Sequence, residues 1–233
     1  MIEAEWWDYD SIGELADAVA GDVGFIIDSA VDARGSSLIA VPGGKTGPAV
    51  FPKLAKQNLP WKKVAIIPTD DRLVPMDDER SNVRAIAKTF LPLGARVVPI
   101  AADIADYRLA GNSADARLQD LPWPPDLVWL GMGRDGHTAS IFAGPDLQDA
   151  LDAPKARRAV GVMPDPLPQD APVARVTLTR ASILFARTIL ITITGEDKRT
   201  LLEQAIADGQ SSNVPIGRVL AEAEQPIDIH WAP

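Results

Sequence analysis

The chain has 233 residues, 46% hydrophobic and 24% charged, an ordinary globular composition on a length that can bury a sizeable core. A formal net charge of −9 argues against generic nucleic-acid or anionic-membrane binding, and the lack of cysteine excludes disulfides, cysteine nucleophiles and thiolate metal sites. The acidic start through Asp8 is not read as a signal peptide, no run approaches membrane-spanning length, and cysteine-free composition is compatible with a reducing cytosol.

Ala4 to Tyr9 is expected to be a first strand. Ser11 with Glu14 three residues on is a capping-box pattern. The segment Leu15 to Ala33 then repeats apolar residues at helical spacing, with Gly35 as its stop. Ser37 to Val41 is a buried strand leading into Pro42-Gly-Gly-Lys-Thr46-Gly-Pro48, with a helix expected from about Ala49 to Gln57. Val64 to Ile67 is a strand that opens into a loop, Pro68 to Arg72, and a helix follows Ser81. Ser81 or Asn82 supplies its cap. Arg96 to Ile100 is a further strand.

Asp126 to Phe142 is the stretch around which the rest is organised. Leu127 to Leu130 is a short apolar run suited to a strand buried on both faces. Gly131, Gly133 and Gly136 follow, and they deliver His137, flanked by Asp135 and Thr138, to what is expected to be the first turn of a helix over Thr138 to Phe142. Downstream, Ala159 to Val162 is a strand, and the proline-rich Met163 to Pro172 an exposed loop. Arg175 to Thr179 is a strand, Arg180 to Arg187 a short helix, and Thr188 to Thr194 a strand. Gly195-Glu-Asp-Lys198 opens a helix reaching Asp208, Val214 to Glu222 is the last helix, and Ile227 to Trp231 the last strand. His230, in that strand, is presented by no glycine loop and is taken as structural. The alternation predicts one α/β domain over 1–233, a mostly parallel sheet with helices on both faces.

In such a sheet ligands bind beyond the carboxyl ends of the strands, where four of these loops fall. Gly43, Gly44, Lys45 and Thr46 lie between a strand and a helix, where backbone N–H groups and the helix dipole favour an anion. Arg72 can grip a phosphate or carboxylate in two-pronged fashion. Lys198 sits in a first helical turn, a position unfavourable to a cation unless an anion is bound there, and Arg175 is a further cation for the same anion. The pair Asp70-Asp71 has no histidine or cysteine partners, so no metal is expected.

With these loops identified, the chain resembles the 6-phosphogluconolactonases. Leu130-Gly-Met-Gly-Arg-Asp135-Gly-His-Thr-Ala-Ser-Ile-Phe142 looks like the signature of that family, and Ala40-Val-Pro-Gly43-Gly-Lys-Thr46 is similar to its early glycine loop, with Gly47 where proline is usual. Asp70-Asp-Arg72-Leu-Val-Pro75 with Ser81-Asn82 matches its Asp-Glu-Arg and Ser-Asn loop, Asp71 replacing the glutamate and Asp78 a common histidine. Arg175 to Thr179 and Thr194 to Lys198 complete the set. The resemblance implies a Rossmann-like three-layer α/β sandwich and hydrolysis of 6-phospho-D-glucono-1,5-lactone to 6-phosphogluconate in the oxidative pentose phosphate pathway, without a cofactor. A cytoplasmic monomer whose partner is the phosphosugar lactone is expected.

Chemistry assigns the roles. A neutral imidazole takes a proton from attacking water near pH 7, which suits His137, with Asp135 orienting its ring. Arg72 or loop N–H groups would receive the oxyanion. Gly43, Gly44, Lys45, Thr46, Arg175 and Lys198 would hold the phosphate. The rivals are a sugar-phosphate deaminase or isomerase, for which a second loop histidine is lacking, and a non-catalytic sugar-phosphate sensor, which would not need His137.

Overall fold

The computed structural model describes residues 2–44, 46–102 and 104–233. The elements in chain order are β1 (Ala4–Asp8), α1 (Ile12–Arg34), β2 (Ser37–Val41), α2 (Thr46–Leu54), β3 (Val64–Pro68), β4 (Asp70–Arg72), α3 (Asn82–Phe90), β5 (Arg96–Val97) and α4 (Tyr107–Leu118). Then follow β6 (Leu127–Gly131), α5 (Leu147–Leu151), β7 (Ala159–Val162), β8 (Arg175–Leu178), α6 (Arg180–Leu184), β9 (Ile189–Thr194), α7 (Glu196–Asp208), α8 (Pro215–Leu220) and β10 (Ile227–Ala232).

Seven strands form one parallel sheet in the order β1-β10-β9-β6-β2-β3-β5. Because successive strand residues face opposite ways, an all-apolar strand feeds two cores at once. Leu38, Ala40, Val128 and Leu130 enter one core, while Ile39, Val41, Leu127 and Trp129 enter the other. Residues of α1, α2 and α3 cover the second face, and residues of α4, α7 and α8 the first, which makes the three-layer α/β sandwich expected. Trp129 is fully buried, and its indole N–H is satisfied by Thr192 Oγ1 at 3.0 Å. The chain leaves β2 towards one edge of the sheet and leaves β6 towards the other. The crevice between their carboxyl ends is thus a topological switch point.

Local signals act as expected at several ends. Ser11 Oγ accepts the Glu14 N–H, Glu14 accepts the Asp10 N–H, and Gly35 closes α1 in the left-handed region at φ 80°. His230 is buried, sits 2.9 Å from the Tyr9 hydroxyl and stacks on that ring, and burial lowers its pKa, as suits a structural histidine.

Other expectations are corrected. β7 and β8 do not join the main sheet, but pair antiparallel with β4 in a separate sheet of order β4-β8-β7. The loop expected over Pro68 to Arg72 is therefore β-structure from Asp70 onward. Thr138 to Phe142 is not a helical turn: Thr138 and Ile141 bridge antiparallel around Ala139, which has φ 48°. The physical reason is side-chain anchoring back onto strand ends. Thr138 Oγ1 donates to the Gly131 carbonyl at 2.8 Å, Ser140 Oγ to Asp70 at 2.6 Å, and the Ser140 N–H to Thr177 Oγ1 at 3.2 Å. Helix α4 was not expected from sequence, because its buried face is Ala110, Gly111, Ala114 and Leu118, too small-sided to make an apolar stripe. Among the described residues no helix is long and apolar enough to cross a membrane.

Candidate active site

A cavity of about 270 Å³ opens at the carboxyl ends of β2, β3, β6 and β9 and against the small sheet. It is sized for one small metabolite. Each wall traces to a local sequence feature.

The loop after β6 carries His137. Its ring lies against the backbone of Gly133, where a Cβ would sit 2.2 Å from Nδ1 and Cε1. Glycine is therefore required by close approach at that position. Nδ1 is 2.5 Å from Asp135 Oδ1, and the ring stacks on Phe142 at 4.2 Å between centroids. The hydrogen bond from His137 lowers the Asp135 pKa, so its carboxylate is an ionised acceptor and Nδ1 must carry the proton. In a neutral imidazole that leaves Nε2 as the base. The side chain of His137 is 28% exposed, reachable by water and yet held on two sides.

The small sheet carries the arginines. Arg72 on β4 and Arg175 on β8 are register partners, and both line the cavity. Arg175 is buried, donates from Nη2 to the Ala171 carbonyl at 3.1 Å and lies over Phe142 at 5.4 Å. Burial lowers its pKa, as removing a guanidinium from water must. Its Nε and that of Arg72 are buried without a partner among the described residues. Two adjacent cations with donors unspent are a costly arrangement that an anion relieves.

Lys198, third residue of α7, also lines the cavity, and its Nζ donates to the Met132 carbonyl at 2.6 Å, which ties the ammonium to the histidine loop. Gly43 and Gly44 also line the cavity, Gly43 on the side of Asn82. Lys45 and the side chain of Thr46 lie outside the described residues, although Thr46 is the first residue of α2.

Seven of the residues singled out from sequence are thus described: His137, Arg72, Gly43, Gly44, Arg175 and Lys198 line the cavity, and Asp135 reaches it through His137. Sequence reasoning missed Asp70, Asn82, Thr192, Thr194 and Asp170, which also line it. Asp70, Asn82 and Thr194 belong to motifs that the sequence shows, but no role in the cavity was read for them. Asp170 belongs to the proline-rich loop and carried no signal. Among the described residues no cluster of three or more metal-ligating side chains occurs. Asp71 does not line the cavity; its buried carboxylate instead accepts the N–H groups of Arg72, Asn82 and Val83 at 2.9, 2.6 and 3.1 Å.

Known proteins share this architecture. The family described as glucosamine-6-phosphate isomerases/6-phosphogluconolactonase matches residues 10–231. A 6-phosphogluconolactonase of Rhizobium meliloti is 38% identical over 229 residues, covering 97% of both chains. One of Mesorhizobium japonicum is 40% identical over 227 residues, covering 94% of this chain and 92% of its own. The crystal structure of a 6-phosphogluconolactonase from Shewanella baltica superposes with a TM-score of 0.90 at 30% identity, covering 99% of this chain and 98% of that one.

Proposed function

The chain belongs to the glucosamine-6-phosphate isomerase/6-phosphogluconolactonase family, and from that premise we infer that it hydrolyses 6-phospho-D-glucono-1,5-lactone to 6-phosphogluconate with His137 as general base. The activity is that of the oxidative pentose phosphate pathway. The mechanism rests on one observation above the others: the His137–Asp135 pair, with Nε2 left as the base, stands in a cavity that also holds Arg72, Arg175 and Lys198.

The lactone carbonyl carbon is attacked by water as Nε2 takes the water's proton. Asp135 holds the resulting imidazolium. Charge moves to the carbonyl oxygen, and Arg72, beside the N–H groups of the loops, is assigned to that oxyanion. The ring C–O bond then breaks, and the departing oxygen receives the proton from the imidazolium. The sugar phosphate is anchored by Arg175, Lys198 and the loop from Gly43 to Thr46, Lys45 included. Anchoring a remote phosphate converts its binding energy into position at the carbonyl. No step calls for a cofactor or metal. The acting species is taken to be a monomer. The net charge of −9 favours neither nucleic acid nor membrane, and a cytoplasmic site of action fits a soluble sugar phosphate.

The test is direct. The purified protein is assayed for acid release from freshly generated 6-phosphogluconolactone and for ammonia release from glucosamine 6-phosphate. Turnover of the lactone alone is expected. Ammonia release would favour the deaminase reading, and tight binding without turnover a sensor.

A further inference from the structure

Asn82 is the first residue of α3, is 4% exposed and lines the cavity. The helix start does not need its amide. Ser81 Oγ accepts the Arg84 N–H, and the Asp71 carboxylate accepts the N–H groups of Asn82 and Val83. The side chain is spent elsewhere. Its Nδ2 donates to the Asp70 carbonyl at 2.7 Å, and its Oδ1 accepts from Arg72 Nη1 at 2.6 Å. The same Nη1 donates to the Arg80 carbonyl at 2.8 Å. Oδ1 also occupies the space beside the glycine loop, since a Cβ on Gly43 would lie 1.9 Å from it. One amide thus joins the strand that carries Arg72, the guanidinium itself and the loop after β2.

We propose that Asn82 is a positioning residue for the hydrolysis: it holds Arg72 by Nη1 and so keeps the rest of the guanidinium available to the cavity. This rests on the reading of Arg72 as a group that touches the reacting substrate. An amide satisfies both partners, because the site asks for one donor and one acceptor. Aspartate offers no donor to the Asp70 carbonyl, and leucine offers neither. Gly43 limits any longer side chain. Arg72 Nε, buried without a partner among the described residues, marks a guanidinium whose contacts are incomplete within the protein.

A double-mutant cycle tests this, with kcat/KM for 6-phosphogluconolactone as the readout. Arg72→Ala, Asn82→Ala and the double variant are compared with wild type after each is shown to be folded. Asn82→Ala is expected to lower kcat/KM by about 10–100-fold where Arg72 is present, the scale of a misplaced catalytic group, and by less than about threefold where it is absent. Equal losses in both backgrounds would overturn the proposal, since Asn82 would then act independently of Arg72. Wild-type kinetics in Arg72→Ala would instead remove the role of Arg72 in the mechanism, and the inference with it. Should Asn82→Ala fail to fold, Asn82→Asp takes its place, because it keeps the acceptor for Nη1. It is expected to stay within about tenfold of wild type, and a loss as large as that of Arg72→Ala contradicts the proposal.

Discussion

Asp135→Asn isolates what the carboxylate contributes to the histidine. The contact is 2.5 Å long and charge-assisted, a class of bond contributing about 1.5–3 kcal/mol. The Asp135 side chain is 62% exposed, so water screens part of this and the contribution is discounted to about 1–2 kcal/mol. If that energy is expressed only as imidazolium forms, it equals about 5–30-fold in kcat. Asparagine adds a second effect. Its amide can donate to Nδ1 as well as accept from it, and the donating arrangement places the proton on Nε2, where it disables the base. The combined expectation is a fall in kcat of about 10–100-fold, within the range for general-base assistance, with KM changed less than about twofold because the phosphate groups lie on other loops. Initial rates on fresh lactone, corrected for spontaneous hydrolysis, give both constants. Thermal unfolding should be unchanged, since the residue is exposed. If Asp135→Asn and Asp135→Ala both retain kcat within twofold of wild type, the carboxylate does not orient the base.

Lys198→Ala should raise KM for the phosphorylated lactone and leave unphosphorylated gluconolactone unaffected. Loss of a charge-assisted bond worth roughly 1.5–3 kcal/mol sets the scale, and equal effects on both substrates would deny Lys198 its phosphate. Asp71 offers a stability test. Burial raises its pKa to about 6 in the fold against about 3.9 in an unfolded chain. A raised carboxyl pKa favours the protonated fold, so this contribution, about 3 kcal/mol, is fully present below pH 4 and lost as pH rises through 6. Urea unfolding from pH 4 to 7.5 should therefore show wild type losing stability relative to Asp71→Asn, and a gap independent of pH would refute the assignment.

The sheet was legible because its strands are apolar throughout, as Ser37–Val41 and Leu127–Gly131 illustrate, and because Ser11, Gly35 and Gly195 punctuate the helices they flank. The residues that bear the chemistry were legible for a related reason. Glycines at 43 and 133 mark backbone held close to other side chains, Gly44 marks a left-handed turn at φ 69°, and cations at strand and helix ends stand out in an acidic chain. What stayed hidden depends on contacts between distant segments. No local pattern distinguishes β7 and β8, which leave the main sheet, from strands that join it. Thr138 and Ser140 sit where a helix start would, but their hydroxyls are committed to Gly131 and Asp70. Asp71 stands in a site motif and yet serves the start of α3, and Asn82, which neighbours the helix cap, serves Arg72.

The central claim is that Nε2 of His137 takes the proton from the attacking water. His137→Asn keeps polarity and approximate size but removes the base, while Arg72, Arg175 and Lys198 are untouched. Its rate of 6-phosphogluconolactone hydrolysis, measured above the spontaneous background on folded protein, should fall by about 10²–10⁴-fold, with affinity for 6-phosphogluconate near that of wild type. A folded His137→Asn enzyme that hydrolyses the lactone at the wild-type rate would contradict the account.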